Sequence, residues 1–188
     1  MDYWNKDLIE LTPKQFELEV KTILEGANAK LAAFEVKHQE KIHGAGGAYK
    51  IDVTARFEAL GGKIIVLIEC KHQKSPIKRE IVQILHDKLH ETGSHKGMIF
   101  ATTPFQRGAI DYASAHGIAL VILAEGKAFY KTKGLGHPDE PPPWANIPPY
   151  MGCLVSLTHS GNIHCSIISV VHPDALNDFL EFRSCNEK

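Results

Sequence analysis

Glu69-Cys70-Lys71 closes a run of five apolar residues, Ile64 to Ile68, and this junction of core and charge is where the chain could do chemistry. An apolar run of that length reads as a strand covered on both faces. Ionised groups at its end must be paired, hydrated or metal-bound, because an unpaired buried charge is very costly. Side chains two apart on a strand point the same way, so Glu69 and Lys71 share a face and Cys70 turns away from them. Two carboxylates on such a face could bind a hard divalent cation, which keeps several waters and takes phosphate oxygens as further ligands. That cation lowers the pKa of a bound water, and a neighbouring lysine can orient or deprotonate the water or meet developing negative charge.

The second carboxylate comes from the preceding strand. Ile51 to Glu58 alternates, with Ile51, Val53, Ala55 and Phe57 on one face and Asp52, Thr54, Arg56 and Glu58 on the other. Gly61-Gly62 marks a hairpin turn into the buried strand. A two-residue loop at Leu60-Gly61 sets Asp52 opposite Glu69, and one at Gly61-Gly62 sets it opposite Lys71. Either register puts all three side chains on one face, within cross-strand contact distance. A structural ion-pair cluster is the alternative reading of the three.

The elements around this pair follow from periodicity. Thr12-Pro13 opens a first helix with Phe16, Val20, Ile23 and Leu24 as its apolar stripe and Gly26 as its stop. Ala32 to Lys37 is a strand candidate, and His43 to Ala48 a glycine-rich loop whose glycines serve turn geometry, since the GK[ST] of a phosphate loop is missing. Ser75-Pro76 starts a second helix with Ile77, Ile81, Ile84, Leu85 and Leu89 inward. Gly97 to Thr102 is a strand, Thr103-Pro104 caps a third helix with Ala109, Tyr112 and Ala113 inward, and Ile118 to Leu123 is another buried strand. The expected body is a mixed α/β sheet flanked by helices, with its last two crossovers parallel. Residues 131–150 carry six prolines and read as a linker or wrapping arm. Met151 to Val171 reads as a hairpin around Ser160-Gly161-Asn162, and Asp174 to Arg183 as a short helix. The expected division is a body over 1–130, the Pro-rich arm, and a small extension over 151–188 that docks on the body or on a second subunit.

Bulk composition narrows the function. The 188 residues carry 21 Lys and Arg against 22 Asp and Glu, a net charge of −1, which excludes binding nucleic acid by bulk charge alone and leaves room for a local basic groove. No apolar run approaches a membrane span. The N-terminus lacks the basic-then-apolar layout of a secretory signal. The four cysteines, Cys70, Cys153, Cys165 and Cys185, have no CxxC spacing, so free thiols in a cytoplasmic protein are expected.

Ile51-Asp52-Val53 followed by Glu69-Cys70-Lys71 resembles the signature of the PD-(D/E)XK nucleases, and specifically the Mrr-like restriction endonuclease catalytic domain. The resemblance runs from about Thr12 to Leu123. It takes in Phe16-Glu17 on the first helix, the glycine-rich approach to Asp52, Lys96-Gly97-Met98-Ile99, Phe105-Gln106-Arg107-Gly108-Ala109 and Gly117-Ile118-Ala119-Leu120. It implies a restriction-endonuclease-like fold and a Mg²⁺-dependent phosphodiesterase, with Mn²⁺ as a substitute, that cleaves DNA; RNA stays open as a substrate. The small C-terminal β-hairpin extension offers an apolar surface, and two-strand cleavage by one small site is easier with two copies, so a homodimer is expected. By the same resemblance Asp52 and Glu69 are metal ligands with the Cys70 carbonyl as a third. Lys71 is the catalytic lysine, Glu17 the acidic residue brought by the first helix, and Gln83 a residue facing the site from the second. Two positions depart from the family pattern: Ile51 stands where Pro is frequent, and Glu69 where many Mrr-type members have Gln. A nuclease-fold binding or assembly module recruited through the tail, and a structure-specific repair or junction nuclease, are the alternatives.

Other polar residues carry two readings each. Lys74, Lys78 and Arg79 are phosphate contacts or a solvated helix start. His72 touches phosphate or packs at a polar edge. His86 and His90, four apart, have the spacing of metal-binding histidines but lack the general-base Glu of the metalloprotease motif, so a surface face is expected. His159, His164 and Cys165 could bind zinc, although no cysteine pair has zinc-site spacing. Trp144 is an anchor for the arm or a base-stacking residue.

Overall fold

The computed structural model describes residues 9–26, 31–59, 61–127, 146–158 and 160–181. Trp144, His159 and Cys185, and the arm up to residue 145, lie outside them. The elements are α1 (Pro13–Gly26), β1 (Ala32–Gly44), β2 (Gly47–Ala59), β3 (Gly62–Lys71), α2 (Arg79–Thr92), β4 (Lys96–Ala101), α3 (Arg107–Ala115), β5 (Ala119–Glu125), β6 (Tyr150–Leu157), β7 (Ile163–Ile168) and α4 (Asp174–Leu180). The seven strands form one sheet in chain order. β1, β2 and β3 are antiparallel in sequence, β3, β4 and β5 are parallel, β6 is antiparallel to β5, and β7 is antiparallel to β6.

Helices cover both faces. Phe16, Val20, Ile23 and Leu24 of α1 and Leu176 and Leu180 of α4 pack on Val53, Ala55, Val66, Ile68, Met98 and Val121. Val82, Leu85 and Leu89 of α2 and Ala109, Ile110 and Ala113 of α3 pack on Leu67, Ile99, Ala101 and Leu120. The two parallel crossovers place α2 and α3 together on one face. Among the described residues no helix is long and apolar enough to cross a membrane.

Several expectations are corrected. β1 runs to Gly44, not Lys37, and the expected glycine loop is a two-residue turn at Ala45-Gly46 between paired strands. This tip rests on the end of α2: Ala45 N–H donates to the Glu91 carbonyl at 3.0 Å and Gly46 N–H to Glu91 Oε2 at 2.6 Å. A Cβ at Gly44 would lie 2.4 Å from that carbonyl oxygen, so this glycine serves close approach. α2 starts at Arg79, because Ile77 is committed elsewhere. Its N–H donates to the Pro104 carbonyl and its carbonyl accepts from Gln106 N–H, both at 2.9 Å. For the same reason α3 starts at Arg107. Ile84 is 54% exposed, and Val82 takes the inward place expected for it. Tyr112 is half-buried, with its hydroxyl on His86. The expectation of free thiols fails for one pair: Cys153 on β6 and Cys165 on β7 are joined by a disulfide, while Cys70 is free.

Candidate active site

The β2–β3 hairpin turns at residues 60–61, with Gly61 at φ +78° supplying the left-handed residue. Ala59 pairs with Gly62 and Val53 with Ile68, so the register sets Asp52 against Glu69. The ladder stops at Val53 and Ile68. Beyond it β2 stays with β1 and β3 with β4, which opens a fork between the two strands.

Asp52 sits in this fork, at a point where β2 changes face. Val53, Ala55 and Phe57 belong to the α1 core, as expected, but Ile51 belongs to the α2 core. Residues two apart share a face only on a regular strand. Opposite the break, Gln39 of β1 adopts φ +53°, and the pairing passes from His38–Val53 to Glu40–Ile51. In place of a ladder bond, Asp52 Oδ2 accepts the backbone N–H of Cys70 at 2.7 Å.

Glu69 is 6% exposed, and each of its oxygens accepts from a lysine. Lys71 Nζ donates to Oε2 at 2.8 Å and Lys88 Nζ, from α2, to Oε1 at 2.5 Å. Glu17 approaches from α1 on the other side of the sheet, held by His38 Nε2 at 2.6 Å and Gln39 Nε2 at 3.0 Å. Its charge is felt at Asp52.

The electrostatics separate the two strand carboxylates. Burial pushes the Asp52 carboxyl above its ordinary range; the Cys70 N–H and Lys71 oppose this, and Glu69 and Glu17 add to it. Burial acts on Glu69 in the same direction, but Lys71 and Lys88 outweigh it and hold that carboxyl below its ordinary value. Burial disfavours the Lys71 charge, yet Glu69 and Asp52 raise its pKa above that of a free lysine. Burial and the surrounding carboxylates push the Cys70 thiol well up. It stays a neutral core group, and only its backbone belongs to the site.

The remaining sequence candidates are distributed over the end of β3, the approach to α2, α2 itself and β7. His72 follows Lys71 and sets its ring edge-on to Phe16 at 5.9 Å; its buried Nε2 has no hydrogen-bond partner among the described residues. Lys74, Lys78 and Arg79 are exposed on the approach to α2, with Arg79 4.9 Å over the Tyr112 ring. Gln83 is exposed on α2. Lys88 lies about 140° round the helix from it and is the α2 residue that reaches Glu69. His86 and His90 meet at 3.1 Å, and His86 packs on the Tyr112 and His116 rings at α3. Cys165, in its disulfide, is unavailable to zinc.

Sequence reading missed Lys88, His38 and Gln39. The only signal for Lys88 was a cation in line with Ile81 and Ile84, at i, i+3 and i+7. The segment holding His38 and Gln39 showed no strand pattern that would have placed it beside Asp52.

Among the described residues no three His, Cys, Asp or Glu side chains form a ready metal cage. The donor set at the fork, two carboxylates with a backbone carbonyl next to them, suits a hard ion instead. Mg²⁺ is bound by one or two carboxylates and completed by waters and substrate phosphates rather than by an all-protein cage.

A mixed sheet between helices, with an acid–lysine pair at a strand fork, defines a restriction-endonuclease-like fold. Residues 8–131 match the family model described as restriction endonuclease, the Mrr-type catalytic domain, and the chain belongs to that family of nucleases. Among curated proteins, none matches this chain. A solved structure described as a protein of unknown function, AF1548, is similar at 26% identity and a TM-score of 0.47, over 57% of this chain and 55% of the other.

Proposed function

We propose that the chain is a Mg²⁺-dependent endonuclease that hydrolyses phosphodiester bonds of DNA, of restriction or defence type. The observation that carries this reading is the placing of Asp52, Glu69 and Lys71 together at the β2–β3 fork. A carboxyl kept above its ordinary pKa and one kept below it share the site with an ammonium. Asp52, Glu69 and the Cys70 carbonyl would hold the ion. When bound, the ion supplies a water of lowered pKa and positive charge for the phosphate oxygens.

The chain's own residues account for the rest. Asp52 is anchored by the Cys70 N–H and Glu69 by two lysines, so both carboxylates are oriented before any ligand arrives. Lys71, with its raised pKa, stands as an ammonium, the form that meets charge developing on the phosphate. Glu17, oriented by His38 and Gln39, adds negative potential behind Asp52. Lys74, Lys78 and Arg79 form an exposed basic approach fitted to the backbone of a nucleic acid, whose phosphate contacts position rather than specify.

Two-strand cleavage by a site this small is simplest with two copies, and we propose a homodimer. The extension bears exposed apolar side chains, Ile163 (55%), Val170 (41%) and Val171 (49%), and ends the sheet in the edge strand β7. Such an edge can be covered by a second chain. Light scattering should give twice the chain mass; a monomer at micromolar concentration would count against the dimer. Activity is tested by incubating plasmid, linear duplex, branched DNA and RNA with Mg²⁺ or Mn²⁺ and mapping the ends. Cleavage confined to branched DNA would favour the junction nuclease, and binding without cleavage the assembly module.

A further inference from the structure

Glu69 is paired with more cation than the proposed mechanism uses. Both oxygens of Glu69 are taken, one by Lys71 and one by Lys88, yet a metal ligated by Glu69 needs one of them. Lys71 is two residues away on the same strand, so its pairing with Oε2 is built into β3. Lys88 reaches Oε1 from another element, on a flexible four-carbon stem with three donors. Its side chain is 19% exposed against 8% for Glu69 and 27% for Lys71, so it has a path outward, and its anchorage on a separate element is what distinguishes it from Lys71.

Formal charge favours release of one of the two lysines from Glu69 once a divalent ion binds. Asp52, Glu69 and Glu17 are three carboxylates, and Lys71 and Lys88 two ammoniums, a balance of one negative charge. A divalent ion turns that into one positive charge, and a single bridging phosphodiester brings it to zero. An ammonium left on Glu69 beside a divalent ion is repelled at contact range, where charges interact strongly at the reduced dielectric of a buried site. The same ammonium on an incoming phosphate is attracted.

We propose that Lys88 is an exchangeable counter-ion: it occupies the metal's place on Glu69 Oε1 in the free protein and transfers to a phosphate of the nucleic acid when the metal binds. The inference rests on the nuclease reading of the site and adds a positioning residue, from α2, that links metal binding to substrate binding.

The test titrates Mn²⁺ calorimetrically into wild type, Lys88→Met, Lys88→Gln and Lys88→Arg without DNA. Duplex binding is then measured in Ca²⁺ by fluorescence anisotropy. Loss of the competing charge should tighten Mn²⁺ binding about tenfold in both neutral variants and leave it unchanged in Lys88→Arg. The same neutral variants should bind duplex about tenfold more weakly, with the salt slope reduced by about one contact. A residue that merely supports the fold would loosen both. Lys88→Gln, which keeps a donor to Oε1, guards against a packing defect peculiar to Met. Unchanged or weaker Mn²⁺ binding in the neutral variants, with wild type binding normally, overturns the role of Lys88 alone. Failure of wild type to bind Mn²⁺ overturns the reading of the site with it.

Discussion

Asp52 accepts the backbone N–H of Cys70 at 2.7 Å, a side-chain bond that stands where the β2–β3 ladder ends. It anchors one carboxylate across the fork from the other, while burial keeps the Asp52 carboxyl above its ordinary pKa. A carboxyl whose folded pKa is raised stabilises the fold below its unfolded pKa and loses that contribution as pH rises through the folded value. At neutral pH the ionised Asp52 therefore strains the metal-free protein. Asp52→Asn keeps an oxygen for the Cys70 N–H and removes the charge. It should raise stability at pH 7 in EDTA by about 0.5–2 kcal/mol, the range for relieving a functional site, and abolish stabilisation by Mn²⁺. Urea melts with and without Mn²⁺ check both; a destabilised variant would contradict the assignment.

Glu69 should behave in the opposite way. Its two lysines hold its pKa down, so its contribution is present above the unfolded carboxylate range and lost as pH falls through the folded pKa. Glu69→Gln leaves two ammoniums facing a neutral group and should cost about 3 kcal/mol at pH 7. The opposite signs at two carboxylates of one site are measurable in one set of melts.

The hairpin tip supplies a purely structural prediction. A Cβ at Gly44 would meet the Glu91 carbonyl at 2.4 Å, and backbone at that distance must move. Gly44→Ala should cost about 1–3 kcal/mol and loosen the end of α2, the helix that carries Lys88. Hydrogen exchange of the α2 amides would show it; protection equal to wild type would contradict it.

Asp52 and Glu69 were legible as a pair because alternation on β2, the apolar run of β3 and the glycine turn each constrain register. The face change at Asp52 was not, since Ile51 continues the alternation on paper. It depends on Gln39 of a neighbouring strand, whose φ of +53° no local pattern announces. β1 was read too short because an edge strand with little to bury shows weak periodicity. The starts of α2 and α3 were misplaced because Ile77 and Phe105 form a bridge between two loops, a tertiary contact that overrides the Ser75-Pro76 and Thr103-Pro104 start signals. Lys88 was hidden because a lysine on a helix is ordinarily solvated, and only the fold shows the buried carboxylate beneath it.

Lys96 gives the pH dependence a marker away from the site. Burial lowers its pKa to about 8, and its ammonium lies 4.4 Å over the Phe179 ring. With the folded pKa below the unfolded one, the buried charge costs stability below about pH 8, and the cost fades as pH rises towards the unfolded lysine value. Lys96→Met removes this titration together with the ammonium's bond to the Phe179 carbonyl, so the stability of wild type relative to the variant should rise between about pH 7 and about pH 9.5, and denaturant melts across the range give it directly. A constant difference would contradict the origin of the shift.

The central claim is that the fork is a metal-dependent phosphodiesterase site in which Lys71 meets the developing charge. The most direct measurement is single-turnover cleavage of duplex DNA by wild type and Lys71→Ala at saturating Mn²⁺, with Mn²⁺ affinity determined calorimetrically for both. The account predicts cleavage by wild type and a loss of at least about 100-fold in the variant, while the variant still binds Mn²⁺. Equal cleavage by the two proteins, or none by wild type on any DNA or RNA substrate, would contradict it.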